Sequence, residues 1–175
     1  MGYTDLEGAL VRLKLVKPAD LAPLHALLQD EVWFRGLNFS EAPSPKALEH
    51  LVADRGLVVW EIYKGKAPAR LGYFGYARHL GTAFVFNVYP NPDIAVLADC
   101  CITTAGAFFA DPLEQRLVMH VNHDLHEQAR PLLKKAGFVV QKPGEPAWDP
   151  KEFTTYVLAR DTYLRLGDLR ERLGL

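Results

Sequence analysis

The sequence has little cysteine. It holds two in 175 residues, and those two, Cys100 and Cys101, are adjacent. Adjacent cysteines are poorly placed to bridge and there is no third to pair with, so no disulfide framework is expected. A reducing compartment fits this usage, and the cytoplasm is the expected one. An excess of charge is lacking as well. Twenty Lys and Arg against 21 Asp and Glu leave a formal net charge of -1, with the basic residues scattered, so no field is expected that would gather nucleic acid or an anionic membrane surface. Long apolar runs are also missing. The longest, Ile94 to Ala110, is interrupted by Asp99 and falls short of the roughly 20 residues that span a bilayer, while Met1 to Glu7 carries acids rather than an apolar signal region. There is no internal repeat and no low-complexity segment.

What is present is a core. With 49% hydrophobic residues in 175, the chain reads as one domain over residues 1–175, large enough to bury a core without a structural metal. Ala9 to Val16 alternates apolar residues with Arg12 and Lys14 and predicts a first strand. Lys17-Pro18-Ala19-Asp20 then opens a helix whose apolar stripe, Leu21, Leu24, Leu28 and Val32, runs to about Trp33. After a loop over residues 35–44, Ser44-Pro45 starts a second helix that Gly56 ends. Leu57 to Tyr63, Arg70 to Arg78 and Thr82 to Tyr89 predict an antiparallel meander. Asp93 is placed to cap a helix from Ile94 to Ala110, apolar nearly all round and therefore buried. Leu117 to Val121 suits a buried strand, followed by a helix carrying Leu125, Ala129, Leu132, Leu133 and Ala136 that Gly137 closes. A strand begins at Val139-Val140, a loop covers 141–150, Phe153 to Leu158 forms a last strand, and Asp161 to Leu173 a terminal helix despite Gly167.

That order, with Ala129 upstream of the Gly137-Phe138 pair and a strand running into Lys17-Pro18-Ala19-Asp20-Leu21 at the start, resembles the GNAT superfamily of N-acetyltransferases over nearly the whole chain. The resemblance implies an α/β fold, a mixed and mostly antiparallel sheet of about seven strands flanked by helices. It also implies an acyl-CoA-dependent N-acetyltransferase acting on a small-molecule or peptidyl amine. Acetyl-CoA would lie where Thr82–Tyr89 and Leu117–Val121 splay apart, its pyrophosphate on amides at the start of the Ile94 helix. Cofactor contacts are then expected at Val88, Tyr89, Ile94, Ala95, Val96, His126 and Ala129.

Two departures from the family pattern qualify this. Asn91-Pro92-Asp93 has no glycine and puts an acid where phosphates would rest, so weak acetyl-CoA binding is expected. The family's asparagine falls on His126 and its proton-donating tyrosine on Leu133, which donates nothing. The catalytic candidates are accordingly His126, Asn87, Glu61 and Tyr156, with backbone amides near Val88 and Tyr89 for the thioester carbonyl. Trp33, Phe34 and Phe39, beside Asp30, Glu31 and Glu41, fall where the family covers its acceptor and suggest an apolar or aromatic amine. His120, His123 and His126 recur every third residue but straddle a strand-to-helix junction, so no metal site is expected. A homodimer is left open. The alternative reading is a non-catalytic GNAT-fold protein serving as a ligand-binding or interaction module.

Overall fold

Val11 and Leu13 are buried while Arg12 and Lys14 are exposed, so the period-two pattern of the amino-terminal segment lays one apolar edge into the protein. The computed structural model describes residues 3–36, 39–141 and 153–174. The chain begins with β1 (Leu6–Glu7) and β2 (Val11–Leu15) and continues through α1 (Ala22–Leu27), α2 (Glu31–Gly36) and α3 (Pro45–Ala53). β3 (Leu57–Lys64), β4 (Arg70–His79) and β5 (Thr82–Val88) form the expected meander, and α4 (Ile94–Phe109) follows. Then come β6 (Arg116–Asn122), α5 (His123–Lys135), β7 (Val139–Val140), β8 (Phe153–Ala159), α6 (Arg160–Leu166) and α7 (Leu169–Leu173).

The strands make one sheet of eight in the order β1-β2-β3-β4-β5-β6-β8-β7, one more than the sequence suggested. The pair β5–β6 is parallel and every other pair is antiparallel. Each face buries a core. Under α4 and α5 lie Trp60, Tyr76, Val85, Leu117 and Val121; on the other face Leu24 of α1 and Leu48 of α3 share a core with Val59, Tyr73 and Phe86. No helix among the described residues is long and apolar enough to cross a membrane.

Helix ends follow the capping residues. Ser44 Oγ accepts the Ala47 amide to start α3, and Asp93 Oδ1 accepts those of Ala95 and Val96 to start α4, each cap contributing about 1 kcal/mol. At the end of α5, Gly137 has φ +84, its amide reaches the Lys134 carbonyl and that of Phe138 reaches Leu133, the two bonds of a Schellman turn. Phe138 is then buried, as expected.

Three expectations need correction. The helix read from Leu21 to Trp33 is broken, because Asp30 caps a new one: its Oδ1 accepts the Val32 amide and its carbonyl those of Trp33 and Phe34. The terminal helix is split into α6 and α7 at Gly167, whose φ of +70 leaves the helical region. The third is β1, unforeseen because what fixes the turn after it comes from the far side of the chain. Asp99, fully buried in α4, accepts the amides of Ala9, Leu10 and Val11. The loop expected over 141–150 lies, from residue 142 on, outside the described residues.

Candidate active site

The ladder between β5 and β6 runs from Thr82 opposite Arg116 to Val85 opposite Met119 and stops there. Beyond it Phe86–Val88 stay paired with β4, and His120–Asn122 stay paired with β8. Each strand follows its other neighbour, and the two part. The gap opens into a cleft of about 320 Å³. Val121 and Leu133 reach it from the core under α4 and α5, and Phe86 and Trp33 from the core on the opposite face, so the cleft passes through the sheet.

The α5 wall is a stripe, Leu125, Ala129, Leu132 and Leu133, at the spacing that puts side chains on one helical face. Ala129 is on this wall, as expected, while His126 is not, although helical spacing sets it beside Leu133. His126 is turned instead toward β8, where its Nε2 and the Tyr156 hydroxyl share a hydrogen bond of 2.7 Å. Two of the expected catalytic residues are thus brought together, but neither lines the cleft. Burial raises the pKa of Tyr156, which keeps its proton at neutral pH.

Asn87 and Ile94 do line the cleft, as does Leu133 in the place where the resemblance would put a proton-donating tyrosine. Val88, Tyr89, Ala95 and Val96 do not. Glu61 is held elsewhere, by Arg70 Nη1 at 2.9 Å and by the Tyr63 hydroxyl, which donates to it at 2.8 Å, with Lys14 Nζ at 3.9 Å. Glu61 is not among the residues lining the cleft.

Sequence reasoning passed over His120 and Asn122 as cleft residues. The signal was available: Leu117, Met119 and Val121 alternate into the core under α4 and α5, which sends His120 and Asn122 the other way. The His120 ring stacks on Phe84 at 6.3 Å between centroids, and its Nδ1 lies 2.9 Å from Thr155 Oγ1, its cross-strand partner on β8. Burial depresses its pKa from 6.5 to about 4, so the imidazole is neutral at pH 7. Cys101, also on the wall, has its thiol pushed up to about 12 by burial and is no thiolate. Among the described residues no group of three His, Cys, Asp or Glu is placed to hold a metal ion.

The start of α4 lies at one mouth of the cleft, with Ile94 on its wall. A helix amino terminus offers free amides to an anion, but Asp93 already engages those of Ala95 and Val96, and its other oxygen lies 3.9 Å from Lys64 Nζ.

No protein-family model matches the sequence, and no curated protein matches it. Solved structures do. A probable acetyltransferase (GNAT family) from Chromobacterium violaceum ATCC 12472 superposes with a TM-score of 0.59 at 13% identity, over 93% of this chain and 89% of that one. Mutant forms of the spermidine/spermine N-acetyltransferase SpeG from Vibrio cholerae give 0.64 at 15% identity, over 90% of this chain and 99% of theirs. The chain has the GNAT fold. A third GNAT-fold neighbour, the aminoglycoside acetyltransferase AAC(6')-Ib in complex with coenzyme A and kanamycin, gives 0.57 at 15% identity, over 89% of this chain and 98% of that one. At such identities the likeness carries the architecture, the GNAT sheet with its parting strands, and the chemistry has to be argued from the residues.

Proposed function

We propose that the protein is an acyl-CoA-dependent N-acyltransferase, with acetyl-CoA as donor and a small-molecule or peptidyl amine as acceptor. The observation that carries this reading is the cleft through the sheet at the β5–β6 split, in a GNAT fold. Two substrates entering from opposite faces meet there, away from bulk water, which is the positioning that a bimolecular transfer needs.

A thioester supplies the electrophile. The neutral amine attacks its carbonyl carbon, the C–N bond forms, the C–S bond breaks, and the thiolate leaves with the bonding pair while the nitrogen loses a proton to solvent. The chain's part is to orient and to exclude water. Asn87, at the split, is the side chain proposed to contact the reacting groups, and the backbone of β5 beyond Val85, paired with β4 and no longer with β6, to hold the carbonyl. Ile94 and Ala129 bracket the donor arm from α4 and α5. His126 and Tyr156 act, in this reading, as a hydrogen-bonded pair behind α5 that fixes the helix. Leu133 offers no proton, so the thiolate departs without help from that position.

The test is transfer itself: acetyl-CoA with a mixed pool of primary amines and amino-terminal peptides, read by mass spectrometry and thiol release. Equimolar N-acetyl product and free thiol are expected. Thiol release no faster than hydrolysis with every amine would contradict the reading. One observation favours a second reading, a non-catalytic GNAT-fold ligand-binding module, namely the Asp93 carboxylate on the amides at the start of α4.

A further inference from the structure

Among the described residues lining the cleft there is no Asp, Glu, Lys or Arg. The polar side chains on its wall are Asn87, His120 and Asn122, set among apolar ones. Resting on the acyl-transfer reading, we infer that the acceptor is a monoamine, one amino group on an aromatic or branched aliphatic body, and that the cleft discriminates against polyamines and other polycations.

The argument runs from charge. An amine must shed its proton to attack, so a single ammonium crosses into the cleft as the neutral base and needs no counter-ion. Every additional ammonium would enter charged, and a buried charge without a partner is strongly disfavoured. The acids nearest in sequence to Val32 and Trp33 stand at the start of α2, where Glu31 is exposed and Asp30 Oδ1 accepts the Val32 amide at 3.0 Å, and neither lines the cleft. His120 is neutral at pH 7, so the wall carries no cation either.

The apolar body has its own partners. If the donor arm lies along α4 and α5, the acceptor takes the opposite mouth, where Trp33 and Val32 of α2 stand with Phe86 and Phe153. Phe86 is buried in the core on that face with Trp33 packed against it, so the inner side of the mouth is aromatic.

The experiment compares 2-phenylethylamine with spermidine under saturating acetyl-CoA, and by calorimetry without donor. We expect kcat/KM for 2-phenylethylamine to exceed that for spermidine by on the order of 100-fold. Val32→Glu puts a carboxylate at the mouth, on a side chain that is 71% exposed and so tolerant of charge. It should narrow the gap by about 10-fold, chiefly through KM for spermidine. Spermidine used or bound as well as 2-phenylethylamine would overturn the inference and leave acyl transfer standing. Binding of 2-phenylethylamine alone, with transfer to neither amine, would overturn acyl transfer and support the monoamine cleft. Binding of neither amine would overturn the inference.

Discussion

Asp93 Oδ1 accepts the Ala95 amide hydrogen at an N···O distance of 3.0 Å, and the amino terminus of α4 is thereby already matched with a carboxylate. Two unit charges about 4 Å apart repel by roughly 1 kcal/mol in water and about 4 kcal/mol at an effective dielectric of 20. The Asp93 side chain is 46% exposed and has Lys64 beside it, so the lower part of that range applies. Asp93→Asn keeps a capping side chain and removes the charge. It should tighten acetyl-CoA binding about 5- to 10-fold at low salt, and the gain should shrink as ionic strength rises. Calorimetric titration of both forms at two salt concentrations checks it.

Asp99 is the buried clamp on the amino-terminal segment. Asp99→Leu would leave three backbone amides, those of Ala9, Leu10 and Val11, without their acceptor. A loss of about 3 kcal/mol or more is expected in chemical denaturation, since an unsatisfied buried donor costs roughly 1–3 kcal/mol. Hydrogen exchange at these amides should rise well above the level set by global unfolding.

The β4–β5 turn offers a stabilising change. Leu80 has φ +46 and Gly81 φ +73 between the paired residues His79 and Thr82, the backbone of a two-residue turn that favours Asn-Gly. Leu80 is 90% exposed, so its side chain gains little from burial. Leu80→Asn should therefore add about 1 kcal/mol, read as a higher denaturation midpoint with an unchanged slope.

Much of this fold could be read from residues. Alternation placed the meander, Ser44 and Asp93 marked helix starts, and Gly137 marked a helix end, because each of these signals is local. What escaped depended on distant parts. Val139–Val140 pairs with Val157 and Tyr156 and lies at the sheet edge beyond β8, a pairing no local pattern states. Asp99 looked like a break in an apolar helix and is an acceptor for residues some 90 positions away. For the site, Asn87, Ile94 and Ala129, expected from the splay of β5 and β6, line the cleft. His120 lines the cleft and His126, bonded to Tyr156, does not, a difference set by how α5 packs on β8, which no local pattern states.

His120 makes folding depend on pH. Its ring, held between uncharged Phe84 and Thr155, has a folded pKa of about 4 against an ordinary 6.5, so between those values the unfolded chain binds the proton and the folded one does not. This contribution is complete above about pH 6.5 and is lost as pH falls toward 4. His120→Gln should flatten the stability profile across that window relative to the wild type, in melts at closely spaced pH values. Parallel profiles for the two forms would contradict the assignment.

The claim on which the account turns is that the split between β5 and β6 receives the acyl donor. Ala129 stands on the cleft-facing stripe of α5, partly exposed, where a large side chain would fill the slot. Calorimetric titration of acetyl-CoA into the wild type and into Ala129→Trp, with a melt to confirm that the variant folds, tests this directly. The account predicts saturable binding by the wild type and its loss, at least 10-fold in Kd, in the variant. Equal binding by both, or none by the wild type at millimolar ligand, would contradict it.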